Sequence, residues 1–469
     1  SSLIRENHAP LEYNFAIALL LNRIGRSFRT VPIVSRSELP YLLASFLLAC
    51  AILLAIYTRY PIVYGIDGPY YLIQLRSLSS EGVIKYPDPP LTYYLLLPFY
   101  LLSPDKNLGL KLAVAFYGGL TSLLLYAAFR RVSRFSGLTA ALSFVISPYT
   151  LRLANDFLKN YVSLLFLAAF IHLAVNEEDC RRAVILSSIA AAAAALSHVL
   201  TYGVFAVLAL LLFAFSYIVK SGSARILRCC SAGAAATSMI LLAIAMSAAP
   251  QIVGYDTVKL LSFIENPFGG GRELPSARMD FPASVLLGSA GLVYGILRRS
   301  RLSALAMASG LTLILLNLPI LGASWLFRFS LMSSMMIPPI AASLVGEVGG
   351  RAKLTAFLLI LGFMTMISLP MVKALKPSIS MGEYRELQRI PEYAPSGSKL
   401  LIPGVRLRYW VEALHGDRYE VLGKPLTPPS RGESVYLILE VGKPLRRIPR
   451  GSEVVFRGEY VMIVKLPGV

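Results

Sequence analysis

Apolar runs long enough to cross a bilayer as helices alternate with short basic turns along most of the chain, and the alternation stops near Pro370. About 20 apolar residues cross the hydrocarbon core as a helix, and Lys and Arg collect in the inner connections between such helices. Applied in order, these rules predict an α-helical polytopic membrane protein of about eleven spans. The first covers about 40–58, and the basic residues before it put its start inside. Later spans cover about 107–129, 135–149 and 160–175. The run 183–219 is too long for one helix and is divided by the polar turn SHVLTYG. A span at about 231–249 follows, then one ending at Arg298, one rising to GASWLFR, one descending to GEVGGRAK and one at about 354–371. An odd count places the N-terminus inside and the C-terminus outside.

Three stretches depart from this alternation. Residues 1–39 carry Arg5, Arg23, Arg26, Arg29 and Arg36 around an apolar patch, Phe15 to Leu21, too short to span. They read as a cytoplasmic, membrane-hugging segment without the small-residue cleavage site of a signal peptide. The segment LTYYLLLPFYLL, 91–102, is short and interrupted by Pro98, which predicts a helix lying along the outer interface. The connection 250–281 holds Gly269, Gly270 and Gly271 and has the length of a mobile flap.

Beyond the transmembrane part, 40–373, the composition changes. Residues 374–469 alternate helix-like stretches (381–393, 406–415) with strand-like ones (399–402, 419–422, 435–441, 453–456, 460–466), which predicts a small extracytoplasmic α/β domain.

Composition agrees with the membrane class. With 56% hydrophobic and 15% charged residues, the chain carries more apolar surface than one water-soluble core hides. The net charge of +19 is scattered among the turns, so it reads as topology and not as a nucleic-acid surface. Cys180, Cys229 and Cys230 fall in connections expected inside the cell, and the adjacent pair reads as two reduced thiols.

No Asp or Glu falls within an expected span, so the acids that offer chemistry sit at the outer rim. Asp67 is the first beyond the first span, in GIDGPYYLIQLR, and Asp156 lies at the next outer turn, in LANDFLKN. Read blandly, both are solvated loop acids. His198, at a third outer turn, reads as a cap or packing residue, or with Asp67 and Asp156 as a ligand for manganese or magnesium. Arg328 reads as an interfacial arginine whose head snorkels to water, or as a phosphate ligand.

The succession of span, Asp67, Pro87-Asp88-Pro89-Pro90-Leu91, span, basic turn, span and Asp156 resembles the GT-C class of polytopic glycosyltransferases, which use lipid-phosphate sugars. Protein O-mannosyltransferases and the aminoarabinose transferases of lipid A belong to it. Arg328-Phe329, opening a proline-containing span, fits the same pattern. Two departures stand out: Asp88 precedes the prolines where the family has Lys, and Gly68 takes the place of a second acid.

The resemblance implies transfer of a sugar from a polyprenyl (dolichyl) phosphate to an acceptor hydroxyl on the outer face, with inversion. Asp67 would act as general base. Asp156 would position its partner, hold the acceptor or share a metal. Arg328, with Arg76 or Arg152 as alternatives, would bind the phosphate, and Pro89, Pro90, Tyr93 and Tyr94 would line the substrate on the juxtamembrane helix. The acceptor class, whether protein, lipid or glycan, stays open. The segment IDGPYYLIQLR also resembles the first loop of oligosaccharyltransferases, but the chain has no WWDYG motif. A transporter or flippase would need polar groups near the midplane, and the expected spans carry no acids. The richness in Arg, Ala and Leu suits a prokaryotic, and among those an archaeal, plasma membrane.

Overall fold

Backbone groups in hydrocarbon find no water, so each apolar run must satisfy its own hydrogen bonds and does so as a helix. The computed structural model describes residues 38–219, 224–248, 262–263, 265–266, 275–423, 434–442 and 451–467. The expected segment before residue 38 and the glycines 269–271 lie outside them. Two compact units divide the chain at Ala44 and Ser45. The first contributes only the opening of helix α1 (Leu39–Tyr57) to the described residues, and all other elements belong to the second.

The helices continue as α2 (Gly68–Glu81), α3 (Leu91–Leu102), α4 (Lys106–Phe129), α5 (Arg134–Val145), α6 (Pro148–Asp156), α7 (Leu158–Asn176), α8 (Cys180–Ser197) and α9 (Val199–Phe215). After these come α10 (Ala224–Ala248), α11 (Pro275–Arg298), α12 (Arg301–Leu316), α13 (Ala323–Leu331), α14 (Ser333–Glu347) and α15 (Ala352–Ala374). Among the described residues seven are long and apolar enough to cross a membrane, or eight if α13 and α14, bent by 44°, form one span.

Each expected span meets a helix, and one of them is clearly shorter than expected. The third stops at Val145 because Ser147 is extended and Pro148 opens a new helix. That new helix, α6, replaces the expected polar turn around Asp156, and it breaks from α7 at Phe157 (φ −128°, ψ 58°). The segment 91–102 is a helix, as expected, with Tyr94 and Leu102 exposed at 53% and 85%.

Small residues set how closely the helices approach. A Cβ on Gly118 of α4 would overlap both Leu53 of α1 and the Tyr161 hydroxyl of α7. The three helices meet there, and the Tyr161 hydroxyl donates to the Val114 carbonyl at 2.9 Å.

The chain between α1 and α2 has no regular structure, so its backbone groups need partners from elsewhere. Lys111 Nζ donates to the Tyr60 and Pro61 carbonyls at 2.5 and 2.8 Å, and Val63 N–H donates to Asn107 Oδ1 at 3.0 Å. Gly65 N–H donates to the Lys376 carbonyl at 3.2 Å, and Ile66 N–H donates to Asp156 Oδ1 at 3.0 Å.

After α15, the C-terminal region contains α16 (Met381–Gln388), α17 (Ile390–Tyr393), β1 (Lys399–Leu401), α18 (Val405–His415), β2 (Glu420–Leu422), β3 (Val435–Glu440), β4 (Glu453–Arg457) and β5 (Val461–Lys465). The sheet order is β2-β1-β3-β5-β4, with β1 parallel to β2 and β3 and the other pairs antiparallel. Arg406 ties its layers together: the guanidinium pairs with Glu383 of α16 at 2.7 Å and with Glu440 of β3 at 3.0 Å.

One expectation is corrected. Cys180, at the start of α8, is disulfide-bonded to Cys229 of α10, with Cα atoms 5.5 Å apart, because those two helices pack side by side. Cys50 and Cys230 are the unpaired cysteines among the described residues. Maleimide titration of the unfolded protein should count two thiols without reductant and four with it. Four in both conditions would mean that the pair is reduced.

The loop before α2 gives a second test. Gly65 has φ +70°, and a Cβ there would fall onto Asp156 Oδ1 and 2.5 Å from the Asn155 carbonyl. Gly82 has a similar φ of +76° with nothing within 4 Å. Both alanine variants carry about 1–3 kcal/mol of backbone strain, and only Gly65→Ala adds overlap. It should lower the thermal midpoint in detergent distinctly more than Gly82→Ala. Equal shifts would contradict the packing of this loop on α6.

Candidate active site

Asp67 occupies the N-cap position of α2, and Pro69 in the first turn supplies a φ already suited to a helix. The residue itself is helical (φ −84°, ψ −10°), so its side chain makes no capping bond. The carboxylate is partly buried. Its charge acts on two phenols: that of Tyr71, which burial and then Asp67 push well above its ordinary range, and that of Tyr409 on α18. Both phenols stay neutral and able to donate.

Beside it lies a cluster that the sequence did not announce. Asp88, 7% exposed, accepts from the Tyr70 hydroxyl at 2.8 Å and the Tyr93 hydroxyl at 2.5 Å through Oδ2. Its Oδ1 meets Lys159 Nζ at 2.5 Å. Gln74 Nε2 donates to the Tyr70 oxygen at 3.1 Å and to the Tyr86 carbonyl at 2.9 Å, and Tyr86 N–H donates back to Gln74 Oε1 at 2.9 Å. Burial, then the Asp88 charge, raises the Tyr70 phenol. A buried carboxylate is tolerated only when its lone pairs are occupied, and here three donors from α2, α3 and α7 occupy them.

Asp156 is also buried, at 6% exposure, and both its oxygens are committed to structure. Oδ1 holds Ile66 N–H, and Oδ2 pairs with Arg152 one turn back at 2.7 Å. It therefore holds the backbone directly before Asp67. His198 is the N-cap of α9, its Nδ1 accepting from Leu200 N–H at 3.1 Å. No group of three His, Cys, Asp or Glu side chains among the described residues is placed to hold a metal, so Asp67, Asp156 and His198 are not brought together.

The candidate cations divide. Arg76 donates to the Ala413 carbonyl at 3.2 Å and lies 4.0 Å from Asp417, so the C-terminal region engages it. Arg152 is held by Asp156 and lies 5.9 Å over the Phe327 ring. Arg328 lies 5.6 Å over Trp325, within a group of rings formed with Phe329 and Phe263. Among the described residues no carboxylate forms an ion pair with it.

Of the helix residues expected to meet substrate, Tyr93 is buried and spent on Asp88, Pro89 is buried, Pro90 caps α3 and Tyr94 is exposed. Missed in the sequence were Lys159, Tyr70, Glu412 and Tyr409. The available signal was the polar Lys159 opening an apolar helix, three residues after Asp156, opposite an Asp where a Lys was expected.

No family model matches the chain, and no curated protein does. Solved structures do. ArnT from Cupriavidus metallidurans bound to undecaprenyl phosphate aligns with TM-score 0.56 at 12% identity, over 92% of this chain and 98% of that one. The same protein in the apo state aligns with TM-score 0.55 at 12% identity. The arabinofuranosyltransferase AftD from Mycobacteria aligns with TM-score 0.50 at 14% identity, over 93% of this chain and 40% of that one. Over most of its length the chain has the fold of the multi-pass GT-C glycosyltransferases.

Proposed function

We propose that this protein is a membrane glycosyltransferase that moves a sugar from a polyprenyl phosphate to an acceptor hydroxyl on the outer face, with Asp67 as general base and inversion at the anomeric carbon. The observation that carries the reading is the placement of Asp67, at the N-cap of α2 directly after a backbone that Asp156 holds through Ile66 N–H.

The chemistry suits this set. A phosphate leaves without protonation, so the step needs one base and nearby cations, and no acid–base pair as in a glycosidase. The acceptor hydroxyl attacks the anomeric carbon from the face opposite the phosphate, its proton passes to the Asp67 carboxylate, and the C–O bond to phosphate breaks. Arg328 supplies a forked set of donors for the departing phosphate, held in place by its stacking on Trp325. Asp156 serves as a positioning residue through Ile66. Lys159 and Asp88, as a neutral ion pair, fix the start of α7 against α2 and α3. A solved protein of this fold binds undecaprenyl phosphate, which supports a polyprenyl carrier. Eleven spans with the C-terminal region outside remain part of the proposal, as does a plasma-membrane location. A manganese or magnesium ion near Asp67 would need ligands beyond the expected triad, with the donor phosphate as one source.

Transfer from a radiolabelled polyprenyl-phosphate sugar in liposomes, with lipid binding measured on the same preparations, tests the roles. Asp67→Asn keeps size but cannot take the proton, so transfer should fall by about 10²–10⁴-fold with donor binding retained. Arg328→Ala should weaken donor binding more than Arg328→Lys, which keeps the charge and loses the fork. Near-normal transfer by Asp67→Asn would overturn the mechanism. Unchanged donor binding in both arginine variants would leave Arg328 as an interfacial anchor.

A further inference from the structure

The C-terminal region reaches the mouth that holds Asp67. Helix α18 packs on α2, and its Tyr409 ring lies 5.5 Å from the Tyr70 ring at 53°. Tyr70 in turn stacks on Tyr86 at 5.7 Å and 16°. The contact is rigidly set, because Glu412, 1% exposed, accepts the Tyr86 hydroxyl through both oxygens at 2.7 and 2.8 Å and pairs with Lys85 at 2.7 Å. A carboxylate so deeply buried is costly unless its oxygens are partnered, as both are here.

Next to Tyr409, Arg408 holds its guanidinium 5.7 Å over the phenol ring. Room for that side chain comes from Gly423, where a Cβ would overlap Arg408 Nη1. Tyr409 and Arg408 are both only partly buried, unlike Glu412 beside them. Aromatic faces with a few fixed polar groups are the usual lining of a small-molecule site.

We infer that Tyr409 and Arg408 form the acceptor-facing wall of the transfer site, the tyrosine presenting its ring to a hydroxyl-bearing acceptor and the arginine donating to its oxygens. This rests on the glycosyl-transfer reading above. It assigns to the C-terminal region a part in acceptor specificity beyond covering the bundle.

The test uses full-length protein in liposomes, a radiolabelled polyprenyl-phosphate sugar, and as acceptor the glycan, lipid and protein fraction extracted from source membranes cleared of this protein. Tyr409→Ala and Arg408→Gln should each raise the half-saturating amount of acceptor fraction by roughly tenfold, the scale of losing one anchor contact. Polyprenyl-phosphate binding and thermal midpoint should stay close to wild type, and Tyr409→Phe, which keeps the ring, should stay within about threefold in acceptor demand. Unchanged acceptor demand in Tyr409→Ala and Arg408→Gln, with transfer intact in wild type, would overturn this inference alone. So would a common fall in stability, donor binding and turnover, which is the mark of a packing role. No transfer by wild type to this fraction or to water would overturn the glycosyltransferase reading and the inference with it.

Discussion

The buried carboxylate of Asp156 holds the irregular chain between α1 and α2 in place, and the position of Asp67 follows from it. A segment without secondary structure must place every backbone donor, and an unsatisfied buried donor costs about 1–3 kcal/mol. Asp156 Oδ1 meets one such donor at Ile66, and Gly65, lacking a side chain, lets the carboxylate come that close. Arg152 balances the charge on the other oxygen. Such a pair adds little net stability, since burial of both charges offsets their attraction. Its effect is geometric: it selects one path for the chain and so one place for Asp67.

The Asp88 cluster obeys the same physics at a different junction. Lys159, two tyrosine hydroxyls and the carboxylate join helices from three parts of the sequence, and Gln74 extends the network to Tyr86. From Tyr86 the connection passes to Glu412 in the C-terminal region. A continuous set of satisfied polar contacts thus runs from the bundle to the C-terminal region through α2, the helix that Asp67 opens. Satisfied networks of this kind rigidify, and half-satisfied ones are worse than apolar packing. Rigidity around one partly buried carboxylate is what a base needs if proton transfer depends on near-contact geometry.

Much of the fold was legible in the sequence because it depends on local pattern. The apolar runs became helices, and the strands after Pro370 appeared within a residue or two of their expected places, because period and turn residues act over short distances. The place of Asp67, in the connection beyond the first span, was legible in the same way. What escaped depended on contacts between distant residues. Nothing local in Asp156 reports its bond to Ile66, 90 residues away. Asp88 looked like a departure from a lysine motif until Lys159, 71 residues on, met it from α7. Nothing local in Cys180 or Cys229 reports that α8 and α10 are neighbours.

Processing of the lipid-phosphate donor at the mouth defined by Asp67 is tested most directly by a structure of the protein with a bound polyprenyl phosphate. The phosphate should lie within hydrogen-bonding reach of Arg328, with the position of the sugar's anomeric carbon beside Asp67. A phosphate bound at the opposite end of the bundle, or at this end but beyond reach of both residues, would contradict a transfer site at Asp67.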